Sequence, residues 1–109
     1  MSLNRLLREA NRAWHGVKLD QPDWSAHSHS LALGGELRSE GLRFHMIWNA
    51  YWEPLAFELP PLENGSAWRR WVDTALTSPE DIVQWQEARP VPGTPYQAEA
   101  RSVVILFAG

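Results

Sequence analysis

The sequence predicts an all-β domain: an antiparallel β-sandwich of Greek-key type, with one short N-terminal helix and one short helical turn. Three observations carry this expectation. Between residues 42 and 48, Leu42, Phe44, Met46 and Trp48 alternate with Arg43 and His45. A half-buried strand imposes that period of two, because successive side chains leave opposite faces. Residues 101–107 form a β-branched run that is apolar on both faces, as in a strand between packed layers. Turn-forming clusters such as Gln21-Pro22-Asp23, Gly34-Gly35 and Glu63-Asn64-Gly65-Ser66 cut the chain into short extended pieces.

Taken in order, residues 2–13 read as a helix. Leu3, Leu6, Leu7 and Ala10 recur at spacings of three and four, opposite Asn4, Arg5, Arg8, Glu9 and Arg12, and Ser2 supplies a cap. A helix of about three turns is marginal alone, so its leucine stripe calls for a surface to dock on. Residues 1–16 are therefore expected to be a tether or seam segment, and residues 17–109 the sandwich. Residues 18–30 are polar and turn-rich around a single anchor, Trp24. Residues 28–33 begin the first full strand, which Gly34-Gly35 is expected to break. Residues 42–62 predict a central hairpin. Its first strand runs to Trp48, its corner is Asn49-Ala50-Tyr51-Trp52-Glu53-Pro54, and its second strand places Leu55, Phe57 and Leu59 on one face until Pro60-Pro61 stops the ladder. Residues 67–74 predict a strand with Trp68 and Arg70 on one face and Arg69 and Trp71 on the other. Ser78-Pro79-Glu80-Asp81 opens a helical turn, residues 89–95 are loop, and residues 96–100 form a short strand before the last apolar run.

The chain has 109 residues, 44% of them hydrophobic and 21% charged, the balance of one globular domain. A formal charge of -3 supplies no basic field, which argues against nucleic acid as a partner. No apolar run approaches the roughly 20 residues of a membrane helix. The N-terminus lacks the continuous apolar core of a signal peptide, so a cytoplasmic protein is expected. Without cysteine there is no disulfide, thiolate nucleophile or cysteine metal site. Seven tryptophans in so short a chain are unusual. They suit either a core filled by large rings or a face that stacks on sugars, and the core reading is favoured for most of them.

The sequence carries little recognisable chemistry. Glu53, Glu58, Asp73 and Asp23 offer no carboxylate pair whose spacing suggests a glycosidase cleft. His27 and His29 share a face if extended, with His45 on a neighbouring strand, but no further ligand completes a zinc pattern. No nucleophile elbow or phosphate-cradling loop occurs, and Arg69-Arg70 reads as a solvated or ion-paired strand face. The expectation is a chain with no catalytic, metal or cofactor-binding residues.

Several segments in succession resemble a known family. Trp14-His15-Gly16-Val17, Gln21-Pro22-Asp23-Trp24-Ser25 and Ser28-His29-Ser30-Leu31-Ala32 come first. Trp48-Asn49-Ala50-Tyr51-Trp52-Glu53-Pro54-Leu55 with Phe57-Glu58-Leu59-Pro60 follows, then Trp68-Arg69-Arg70-Trp71-Val72-Asp73-Thr74 and Arg101-Ser102-Val103-Val104-Ile105-Leu106. In order and spacing they are similar to the C-terminal domain of isoamylase-type glycogen debranching enzymes, which hydrolyse α-1,6 branch points. The catalytic carboxylates of that family sit on a (β/α)8 barrel of about 250 residues, which 109 cannot contain. The resemblance therefore implies a non-catalytic accessory sandwich whose partner is the barrel and whose further contact is α-glucan. Leu3, Leu6, Leu7, Trp14, Trp24, Tyr51 and Trp52 are the expected seam or glucan contacts. The rival reading is an independent carbohydrate-binding module that stacks Trp24, Tyr51 and Trp52 on glucose rings.

Overall fold

The computed structural model describes residues 11–15, 29–37, 41–62, 66–91 and 95–108. Eight strands are present among them: β1 (Asn11–His15), β2 (Ser30–Leu37), β3 (Leu42–Asn49), β4 (Leu55–Phe57), β5 (Arg69–Asp73), β6 (Arg89–Pro90), β7 (Tyr96–Ala98) and β8 (Ser102–Ala108). Six form one antiparallel sheet in the order β1-β2-β3-β8-β5-β6, and β4 and β7 form a second. The domain is all-β, as the alternation in β3 and the apolar run of β8 require.

Four expectations need correction. Asn11, Arg12 and Ala13, placed by leucine spacing at the end of a helix, instead begin edge strand β1, paired with Glu36, Gly35 and Gly34 of β2. A ladder to a ready partner outweighs the weak propensity of a short helix. The rest of that expected helix, with Leu3, Leu6 and Leu7, lies outside the described residues. The central hairpin is also replaced. β3 pairs with β2 and β8, whereas β4 pairs with β7, so the aromatic corner carries the chain from one sheet to the other. The helical turn at Ser78 is a hydrogen-bonded turn closed by Glu80 N–H to Thr77 O at 3.0 Å, and the 3₁₀ turn is Trp85–Glu87. Finally, β2 runs straight through Gly34-Gly35.

The glycines stay in the strand because their neighbours need the room. Gly35 pairs with Phe44, whose ring lies where a Cβ on Gly35 would stand. On the other face, a Cβ on Gly34 would come within 2.9 Å of His15 Nε2. Gly35→Ala is expected to cost about 2 kcal/mol, since it over-packs a filled site. Urea denaturation checks this, and an unshifted midpoint would mean that the ring yields freely.

The large sheet is apolar on both faces. On one, Ala32, Ile47, Val104, Leu106 and Ala108 meet Phe57 of β4 and Tyr96 and Ala98 of β7, with Leu59, Trp68 and Val91 closing the layer. On the other, Leu33, Leu37, Leu42, Phe44, Met46, Ala88, Ile105 and Phe107 form a second cluster. A bulge at Trp71 shifts the β5 register between Arg70 and Val72. Consecutive residues Trp71 and Val72 thereby both join the second cluster, and Asp73 is turned inward.

Candidate functional site

The features that stand out lie at one end of the large sheet and across its second face. At the end of β3, Asn49 is fully buried and holds the corner. Its Nδ2 donates to the carbonyls of Glu53, Ala98 and Glu99 at 3.1, 3.0 and 3.1 Å, and its Oδ1 accepts Tyr51 N–H at 3.0 Å. One side chain thus joins the large sheet, the corner and the β7–β8 connection. Two backbone bonds extend the tie, Ala50 N–H to His29 O at 2.8 Å and Arg101 N–H to Tyr51 O at 3.2 Å.

Among the expected contact residues, the structure brings Tyr51 and Trp52 together, with ring centroids 5.6 Å apart and planes inclined at 46°. His29 stacks on Tyr51 at 6.1 Å and 20°. Trp52 is 64% exposed, whereas Tyr51 is only partly so. The two rings therefore offer one open face, not the flat multi-ring platform that stacking on a run of sugars requires. Trp14 lies on β1 opposite Leu33. Leu3, Leu6, Leu7 and Trp24 lie outside the described residues.

Beside the corner, Trp48, Asn49, Ala50, Arg101, Ser102 and Val103 line a hollow of about 300 Å³. Trp48 and Val103 are cross-strand partners, so they form its floor on the second face. From there the face continues through half-buried rings: Trp71 meets Trp85 edge-on at 5.3 Å, and Trp85 stacks on Phe107 at 4.3 Å. Trp48, Trp71, Val72, Val83 and Trp85 are only partly buried, and Ile82, bridged to Val72, is 61% exposed. Sequence reasoning did not single out Trp48, Trp71, Trp85 or Arg101 as contacts. Trp48 stood on the apolar face of its strand, the core reading covered most of the tryptophans, and nothing local marks which side of a strand stays open.

The interior polar groups are structural. Buried Asp73 accepts Tyr96 O–H at 2.5 Å on Oδ2 and Ala75 N–H at 3.1 Å on Oδ1, tying β5 to β7. Burial and the Asp73 carboxylate push the Tyr96 hydroxyl well above the usual tyrosine range. Trp68 Nε1 donates to Pro60 O at 2.9 Å, and the Arg43 guanidinium lies 5.7 Å from the Trp68 ring centroid. His45 is fully buried, 5.4 Å from His15 between ring centroids. Of the histidines weighed as zinc ligands, His29 is at the Tyr51 end, His45 is in the core, and His27 lies outside the described residues. Among the described residues, no three His, Asp or Glu side chains converge on a cation position.

The chain matches a family model described as Isoamylase 1-3, C-terminal, over residues 13–105. It is similar to Isoamylase 2, chloroplastic, from Oryza sativa subsp. japonica, at 31% identity over 113 aligned positions. That alignment covers 92% of this chain and 14% of the relative, so the chain spans a small part of the relative's length. The relative's name places it in the chloroplast, which overturns the expectation of a cytoplasmic protein.

Proposed function

Because this chain belongs to the family of isoamylase C-terminal domains, we propose that it is a non-catalytic accessory domain that steadies the catalytic (β/α)8 barrel of an isoamylase-type debranching enzyme. The observation that carries this reading is the two-sided apolar sheet. A two-layer β-sandwich of Greek-key type needs one apolar face per sheet, and β4–β7 supply the cover for one face of the large sheet. On the other face, Trp48, Trp71 and Trp85 are only partly buried, and Ile82, bridged to Val72, is exposed. Contiguous open apolar surface marks an interaction site. The seam is read as including Leu3, Leu6 and Leu7 of the segment that precedes β1, together with Trp14 and Trp24. Tyr51 and Trp52 stand at its end, where α-glucan contact is assigned.

The test is a two-part enzyme in which this chain replaces the matched region of the rice relative. Ile82→Asp changes an exposed side chain, so the isolated domain should keep its stability within about 0.5 kcal/mol. In the two-part enzyme the same change is expected to lower the melting temperature of the catalytic portion. If Ile82→Asp and Trp71→Gln both leave that temperature untouched, the seam is elsewhere or does not exist.

A further inference from the structure

We infer that the hollow beside the corner is the keyed part of this seam: it receives an apolar side chain of the catalytic portion, with an adjacent carboxylate paired to Arg101. The inference rests on the accessory-domain reading and adds the place and chemistry of the contact. The hollow is open on its outer side and measures about 300 Å³, room for a large side chain laid against its floor. Its floor, Trp48 and Val103, is apolar and continuous with the second face.

The polar groups on its wall are already committed, with one exception. Asn49 makes all its bonds inward, and Ser102 Oγ donates to Glu99 O at 2.7 Å. Arg101 remains. It is exposed, and among the described residues no carboxylate is paired with its guanidinium. A guanidinium presents donors only, in a planar fork that fits a carboxylate. A pyranose would need acceptors and donors spread around its ring, which this wall does not offer. An apolar group beside a carboxylate fits what is there.

The backbone gives an independent sign. Arg101 has φ of 53°, in the left-handed region that glycine and asparagine enter more readily. An arginine held there is disfavoured locally, which points to a use for its side chain.

A protease site at the junction of the two-part enzyme makes the contact measurable as a dissociation constant after cutting. Arg101→Glu, and Ala50→Phe to fill the hollow, are each expected to raise it on the order of tenfold. Arg101→Gly relieves the backbone, so it should weaken association while the isolated chain melts at the same or a higher temperature. If Arg101→Glu and Ala50→Phe change nothing but Ile82→Asp weakens binding, the keyed hollow is wrong and the seam survives. Parts that separate freely before any substitution would remove both. Tryptophan quenching of the isolated chain by maltoheptaose, abolished by Ala50→Phe, would instead make the hollow a sugar site and overturn the inference.

Discussion

Replacing Asn49 by alanine is expected to cost about 3–5 kcal/mol, among the largest effects of a single side chain in this fold. The magnitude follows from what the amide does. It donates to three carbonyls and accepts one N–H, and the residue is fully buried. A neutral hydrogen bond contributes about 1 kcal/mol net, but each buried group left without its partner costs about 1–3 kcal/mol. Water could re-solvate the outer carbonyl of Glu53 more readily than that of Ala98, whose bond to Asn49 is buried. At about 4–8 °C per kcal/mol for a domain of this size, the melting temperature should fall by more than 10 °C. Asn49→Asp separates shape from chemistry. It preserves the volume and the acceptor for Tyr51 N–H but turns the donor end into an oxygen facing three carbonyls. It should be at least as damaging as alanine near neutral pH. Thermal melts of both variants decide the matter; a loss under about 3 °C for alanine would show that the corner is held by something else.

That residue also shows how much of the fold could be read from the chain. Strands β3, β5 and β8 were legible because their patterns are local: alternation in the first, flanking rings in the second, a β-branched run in the third. Pairing was not legible. The strands on either side of the corner alternate as a hairpin would, yet Asn49 directs them into different sheets. The partners that decide this, β8 and β7, lie far along the sequence. Alternation likewise separates two faces without saying which is inside. Arg43 and His45 share the face that packs on the second layer. Arg43 stays there by reaching over Trp68 to donate to Pro61 O at 3.0 Å, and His45 by using the space beside Gly34.

The candidate site divides in the same way. Tyr51 and Trp52 could be picked out because aromatic residues clustered at a corner are visible in one short stretch. The hollow could not, because it exists only once the β3–β8 register sets Trp48 opposite Val103. The open tryptophans were equally hidden. Trp71 and Trp68 look alike in the sequence, but Trp68 is buried in the first layer while Trp71 is half open on the second face. The bulge that adds Val72 beside Trp71 has no local signature.

Folding stability is expected to fall by about 3 kcal/mol between pH 6.5 and pH 4 on account of His45 alone. Its imidazole is fully buried, and neither ring nitrogen has a hydrogen-bond partner among the described residues. Burial lowers its pKa from 6.5 to about 4, with smaller contributions in the same direction from His15 on β1 and Arg43 on its own strand. Above pH 6.5 the ring is neutral in folded and unfolded chains, and nothing is lost. Between pH 6.5 and about 4 the unfolded chain takes up a proton that the folded chain refuses, so stability drops as pH falls through that window. Below the folded pKa both states are charged and the loss levels off. His45→Leu removes the titration and fills similar space with no polar atom to satisfy. At pH 7 that variant should match or exceed the parent, because replacing an unpartnered buried polar group by an apolar one is neutral or favourable. The gap between the two proteins should then widen steadily toward pH 4, a trend that carboxylates common to both cannot produce. Urea midpoints measured in parallel from pH 7.5 to 4 give the comparison. Parallel curves would mean that the imidazole is solvated in the folded chain.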